Sequence, residues 1–319
     1  MAVPDLRARY RGSLLGLAAG DALGTTVEFA PRGTFQPIED MVGGGPFGLE
    51  PGQWTDDTSL ALCLADSLLR RNGHDPVDQL RTYVRWYRDG YLSSTGRCFD
   101  IGTTTRIALE RFERTGEPYP GPTDERSAGN GSIMRLAPVP MFYRSDPVMA
   151  VEIAAESSRT THGAPAAVDG CRYFSLLLVR ALSGARKDDL FRNDDSGAFA
   201  GRPLVPEVAR VAATRPRELS EDAIRGTGYV VQSLEAALWA FDTTDDFSAG
   251  ALLAVNLGDD ADTTGAVYGQ LAGALYGEQA IPEAWRARLT MRRLIEETAD
   301  RLLDASERRP SEAPDATHS

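Results

Sequence analysis

Two acidic stretches, Thr55-Asp56-Asp57-Thr58 and Asp259-Asp260-Ala261-Asp262-Thr263, stand about two hundred residues apart in the chain. Carboxylates beside hydroxyls are hard oxygen donors, suited to hard dications such as Mg²⁺ or Mn²⁺. Asp56, Asp57, Asp260 and Asp262 bring four negative charges, which two dications balance, and Thr55 and Thr263 add neutral oxygens. Together the clusters make an ion cage; apart, each repels itself. Asp260 and Asp262 diverge on a regular helix, so a turn leading into a helix must let them converge. For either cluster alone the alternative is helix capping, because Thr and Asp at a helix start satisfy orphan N–H groups and the macrodipole. The doubling of the pattern favours metal.

Other residues carry their own pairs of readings. In Gly129-Asn130-Gly131-Ser132-Ile133-Met134-Arg135 small residues free backbone N–H groups to meet a phosphate, with Arg135 available for charge. The alternative is an ordinary turn before a helix; the Gly-Lys-Ser/Thr of a Walker loop is missing. His162, in Thr160-Thr161-His162-Gly163, is a ligand-binding group or a capping histidine at the core edge. No Gly-x-Ser-x-Gly elbow supports a nucleophile for it. Asp100, between Phe99 and Ile101, orients a substrate or caps a helix starting at Thr103. Asp21 reads as buried and hydrogen-bonded, and Glu28, beside Phe29, reaches towards a pocket. Tyr229 follows Gly226 and Gly228 and suits stacking on a base, or is simply core.

The elements that must position these groups are helices. Helix-length apolar patterns occupy residues 6–24, 56–71, 76–89, 102–114, 147–158, 164–183, 205–213, 221–240, 246–256, 263–276 and 283–306. Strand-like alternation is nearly absent, so the chain reads as all-α with one core. Gly12, Gly16, Gly20 and Gly24 recur every four residues, as do Gly265, Gly269, Gly273 and Gly277. Each interior glycine costs a helix about 1 kcal/mol relative to alanine. A close, buried contact between the two helices, beside the acidic site, would offset that. Residues 30–54 and 116–131 read as loops, and 184–203 as a mobile surface insertion. The expected organisation is one domain over 1–306 and a disordered tail, 307–319.

Composition narrows the function classes. A net charge of −12 argues against general nucleic-acid binding, which needs clustered Lys and Arg. Cys63, Cys98 and Cys171 are odd in number, widely spaced and without zinc spacing, which points to a reducing cytoplasm. There is no signal-peptide pattern and no apolar run long enough to span a membrane.

The ordered motifs as a set resemble the ADP-ribosylglycohydrolase family. They are Gly12-x-x-x-Gly16-x-Ala18-x-Gly20-Asp21-Ala22-x-Gly24, Trp54-Thr55-Asp56-Asp57-Thr58, Phe99-Asp100-Ile101-Gly102, Gly129-Asn130-Gly131-Ser132-x-Met134-Arg135, Thr161-His162 and Gly258-Asp259-Asp260-Ala261-Asp262-Thr263. The likeness covers about residues 7–280 and, through Phe-Asp-Ile-Gly, looks closest to the dinitrogenase reductase-activating glycohydrolases of bacteria. It implies a compact orthogonal multi-helix bundle with two Mg²⁺ or Mn²⁺ ions in a cleft. The implied ligands are Thr55, Asp56, Asp57, Asp260, Asp262 and Thr263, with Asp262 shared. Gly129, Asn130, Gly131, Ser132 and Met134 with His162 would hold a diphosphate, and Tyr229 would stack on adenine. Asp100, Glu28 and Asp57 are the implied catalytic acids. The implied reaction frees ADP-ribose from an acceptor side chain of a protein or a small conjugate, arginine first. O-linked acceptors (serine, O-acetyl-ADP-ribose), a non-catalytic ADP-ribose binder and a structural role are the alternatives.

Overall fold

The computed structural model describes residues 3–192 and 197–309. Fourteen α-helices follow one another among them: α1 (Leu6–Gly24), α2 (Asp56–Arg71), α3 (Pro76–Asp89), α4 (Thr103–Thr115), α5 (Pro138–Phe142), α6 (Pro147–Arg159), α7 (Pro165–Leu182), α8 (Lys187–Leu190), α9 (Pro206–Ala213), α10 (Val230–Thr243), α11 (Phe247–Val255), α12 (Ala261–Tyr276), α13 (Glu283–Arg288) and α14 (Arg292–Glu307). No strand forms among the described residues, only two isolated bridges. The fold is all-α, and one apolar core runs from Tyr10 in α1 to Ala305 in α14.

The glycine spacing sets the centre of the bundle. Gly12, Gly16, Gly20 and Gly24 lie against Gly273, Gly269, Gly265 and Ala261, so α1 and α12 run antiparallel in backbone contact. A Cβ added at Gly269 would stand 1.9 Å from the Gly16 carbonyl oxygen, and one at Gly20 1.9 Å from that of Gly265. This contact brings the C-terminal end of α1, with Asp21, to the N-terminal end of α12, with Asp260 and Asp262. Gln270 of α12 extends the frame: its amide donates to the carbonyls of Ile133 (3.2 Å) and Met134 (2.7 Å) and accepts from Ala137 N–H (2.8 Å). The Gly129–Met134 loop is thereby tied to the same helix.

Three expected elements differ. The run 221–240 becomes a 3-10 turn at Glu221–Ala223, an extended stretch, and α10 from Val230. Gly226 and Gly228 explain this, since the Gly226 carbonyl accepts from Asp260 N–H (2.8 Å) and the Gly228 carbonyl from Asn130 N–H (3.0 Å). The run 283–306 is broken at Met291, whose φ is 53°. There Thr290 donates to the Gly52 carbonyl (3.0 Å) and accepts from Trp54 Nε1 (3.2 Å), steadying the loop that delivers Thr55. The segment 184–203, read as a mobile insertion, is tied down where it is described: Leu190 and Ala198 are buried, and the Asp169–Arg172 pair holds Val205 N–H and the carbonyls of Phe199 and Arg202. The short α5 escaped sequence reading because Pro138 and Pro140 mask it. Most of the expected tail, from residue 310, lies outside the described residues.

Candidate active site

Asp21 organises the acidic floor. Its two oxygens accept from Thr55 N–H (2.9 Å), Thr55 Oγ1 (2.9 Å), Thr58 N–H (3.0 Å) and Thr58 Oγ1 (2.6 Å). A side chain from α1 therefore caps α2. Thr55, the N-cap residue of α2, makes no cap bond of its own, nor does Asp260 at the start of α12. Asp100 and His162 likewise cap nothing, the N-caps of α4 and α7 being Gly102 and Ala164. The capping alternative fails for all four.

The distant clusters meet. Thr55 Oγ1 lies 3.2 Å from Asp57 Oδ2 and 3.2 Å from Asp262 Oδ2. Carboxylate oxygens of Asp21, Asp57 and Asp262 fall within 4.8 Å of one another, as do those of Glu28, Asp100 and Asp262. Asp259 and Asp260 supply the turn that lets Asp260 and Asp262 converge: Asp259 adopts φ 55° before the helix begins at Ala261. Asn130 Nδ2 donates to Asp260 Oδ2 (2.9 Å), joining the floor to the glycine loop.

The electrostatics call for cations. Burial, and then neighbouring carboxylates, hold Asp56, Asp57 and Asp262 well above the usual carboxylate range. Burial likewise lifts Asp21 to about 6 and Asp100 to about 7. Glu28 is pushed to about 10 by burial, by Asp100, Asp260 and Asp57, and by its hydrogen bond with Asp100. Asp57 Oδ1, Asp262 Oδ1 and Glu28 Oε2 are buried without a hydrogen-bond partner. An all-oxygen donor set with orphaned carboxylate atoms fits hard divalent cations.

Above this floor a cavity of about 350 Å³ is lined by Glu28, Asp56, Asp100, Asp260, Asp262 and Thr263, and by Gly129, Asn130, Gly131, Met134 and His162. Thr55 and Asp57 are fully buried, off the cavity wall. Ser132 turns its hydroxyl inward, accepting from Ser158 Oγ (2.9 Å), so only its main chain remains for a ligand. Tyr229 is half-exposed and bridges Gly129 beside the cavity.

Arg135 is not at the cavity, against the sequence expectation. It is buried, bonds the Gly131 carbonyl and Thr161 Oγ1 (2.6 Å), and lies 4.7 Å over the Tyr83 ring. Its consequence for His162 is indirect. Thr161 Oγ1 accepts from Arg135 and shares a hydrogen bond with His162 Nδ1 (2.9 Å), whose direction follows the ring tautomer. The His162 ring is packed beneath Gly131, where any Cβ would come 2.7 Å from it. Burial and Arg135 lower its pKa to about 3, so the ring is a neutral donor. Sequence reading missed this chain of contacts because Arg135 and Thr161 look like surface polar groups when read singly.

The ADP-ribosylglycohydrolase family profile matches residues 2–312. The chain is 44% identical over 294 residues to ADP-ribosylarginine hydrolase Tri1 of Serratia proteamaculans, covering 92% of this chain and 78% of that protein. It is 46% identical over 296 residues to ADP-ribosylarginine hydrolase Tri1 of Pseudomonas putida, covering 93% and 78%. With ADP-ribosyl-[dinitrogen reductase] glycohydrolase of Rhodospirillum rubrum it shares 32% over 311 residues, covering 96% and 97%. A solved structure described as an ADP-ribosylglycohydrolase-related protein complex superposes with a TM-score of 0.83 at 47% identity, covering 94% of this chain and 99% of that one. The chain belongs to the ADP-ribosylglycohydrolase family.

Proposed function

We propose that this chain, by family a hydrolase of ADP-ribose conjugates, releases ADP-ribose from the guanidine nitrogen of a modified arginine side chain. The observation that carries the reading is the meeting of two remote acidic clusters at Thr55 and Asp262, directly under a glycine loop and a neutral histidine. The names of the relatives at 44% and 46% identity support arginine as the acceptor.

Thr55, Asp56, Asp57, Asp260, Asp262 and Thr263 would hold two divalent cations, Mg²⁺ or Mn²⁺. Asp262 belongs to both oxygen groups and is the candidate bridge. Such ions, when bound, supply Lewis acidity and fix hydroxyls and water at the reacting sugar. The rest falls to the chain's own groups. The N–H groups of Gly129 and Asn130 are taken by the carbonyls of Ser127 and Gly228. Within the Gly129–Ser132 loop the main-chain N–H groups of Gly131 and Ser132, with the His162 ring, therefore orient the diphosphate, with Met134 against it and Tyr229 beside the base. Carboxylates under the ribose stabilise the positive charge that develops at C1″ as its bond to nitrogen breaks. Burial and the nearness of Asp100 favour a proton on Glu28, so in this reading its carboxyl hands a proton to the departing nitrogen while Asp100 takes one from the attacking water. Oxygen from water joins C1″, and the arginine leaves intact. The proposed setting is one catalytic domain in the cytoplasm, where Cys63, Cys98 and Cys171 remain free thiols.

The deciding experiment offers defined ADP-ribosyl-arginine, -serine and -aspartate peptides with Mg²⁺ or Mn²⁺. Release of ADP-ribose from the arginine peptide is expected. Turnover confined to the serine peptide would replace this reading with the O-linked one.

A further inference from the structure

Three phenylalanines on two loops, Phe29 and Phe47 between α1 and α2 and Phe99 between α3 and α4, form a cluster that the fold does not bury. Phe29 and Phe47 meet edge to face with ring centroids 6.4 Å apart, and Phe47 and Phe99 at 5.3 Å. Phe29 is 64% exposed and lines the cavity; Phe47 and Phe99 are half-exposed. Single exposed apolar residues need no explanation, but a built cluster at a cleft mouth does.

Phe29 and Phe47 are held firmly by their backbones. Phe29 sits at φ 63°, a region that bulky residues avoid, and its N–H donates to the Asp259 carbonyl (2.7 Å) while Asp259 N–H returns to Ala30 (2.8 Å). Phe47 stands in the turn closed by the Gly44–Leu49 pair, whose Gly45 packs so tightly that a Cβ would lie 2.0 Å from the Thr25 carbonyl oxygen. Two of the rings directly follow or precede an acid of the site: Glu28 precedes Phe29, and Asp100 follows Phe99. Tyr229, by contrast, is bridged to Gly129 on the loop assigned to the phosphates. The cleft therefore sorts its aromatics into one set tied to the glycine loop and another tied to the Glu28–Asp100 pair.

We infer that Phe29, Phe47 and Phe99 form the acceptor subsite, receiving the planar guanidinium and aliphatic stem of the modified arginine beside Glu28 and Asp100. A guanidinium is weakly hydrated and stacks on aromatic faces, so electron-rich rings beside the Asp100 carboxylate match it in shape and charge. This assignment rests on the arginine reading above.

The test uses Phe29→Leu, Phe47→Leu and Phe29→Tyr with an ADP-ribosyl-arginine peptide, agmatine as competing guanidinium, and ADP-ribose binding by calorimetry. The Leu variants should lose about tenfold in kcat/KM, chiefly through KM, and about tenfold in inhibition by agmatine. Phe29→Tyr should stay near wild type, and ADP-ribose affinity should hold in all three. Leu variants with undiminished kcat/KM overturn the aromatic subsite alone. Equal loss of ADP-ribose affinity overturns it too, by showing a general structural role. A wild-type enzyme that spares the arginine peptide but cleaves the serine peptide overturns the arginine reading and this assignment with it.

Discussion

Thr55 has one hydroxyl proton and three carboxylate oxygens around it, from Asp21, Asp57 and Asp262. One proton satisfies one acceptor, so the remaining contacts require shared protons or cations. Asp57→Asn should therefore lower turnover by about 10²–10³ yet raise the melting temperature in EDTA, because a buried like charge is removed. A variant that melts lower in EDTA would show that Asp57 is not under repulsion in the ion-free protein. At His162 the expectation concerns a proton. Thr161→Val keeps the shape and removes the hydroxyl between Arg135 and Nδ1. Nitrogen NMR should then show a changed tautomer balance in the ring, with KM rising about tenfold, the worth of one hydrogen bond to a charged group; an unchanged balance would refute a role for Thr161 in orienting the ring. The acids were legible in the sequence because charge clustering and helix-start position are local properties. Arg135 was misplaced because Thr161, which draws its guanidinium inward, stands 26 residues away and on no shared local pattern.

Between α1 and α12 the contact is main chain against main chain, and four-residue glycine spacing announced it. Even alanine is too large: Gly269→Ala puts its Cβ 1.9 Å from the Gly16 oxygen. It should cost about 3 kcal/mol in urea unfolding, and a loss below 0.5 kcal/mol would refute the close contact. A second element-scale expectation lies at the start of the 3-10 turn Pro216–Glu218. Asp242 of α10 is buried, and burial alone would raise its pKa. Hydrogen bonds from Arg215 and Arg217 outweigh that and hold it below the ordinary value. A lowered pKa contributes stability above the unfolded value and loses it as pH falls through the folded one. Asp242→Asn should thus cost about 2 kcal/mol near neutral pH, and its deficit should shrink below about pH 4; a deficit independent of pH would assign the loss to packing. Helix ends were less legible than helices. Gly226 and Gly228 stop α10 short because their carbonyls serve Asp260 and Asn130, a tertiary demand that no periodicity reveals.

For the molecule as a whole, ion binding and folding are linked. Ions at a hundred times their dissociation constant add about 2.7 kcal/mol, so Mn²⁺ or Mg²⁺ should raise the melting temperature by several degrees and EDTA should reverse it. No shift with either ion would leave the acidic floor without its proposed occupants. The all-α class, the loops 30–54 and 116–131, and the approach of the two acidic clusters were readable from composition and spacing. The aromatic mouth was not. Phe47 lies in a loop without periodicity, and only the folded chain sets it beside Phe29 and Phe99. Among the described residues no helix is long and apolar enough to cross a membrane.

Because the seam of α1 and α12 is made of peptide groups, its spacing is a constant of polypeptide geometry and not of any packing choice. Neighbouring loops can be rewritten for new acceptors without altering the distance between the two halves of the acidic floor. The architecture thereby separates what must stay fixed for bond cleavage from what is free to diversify.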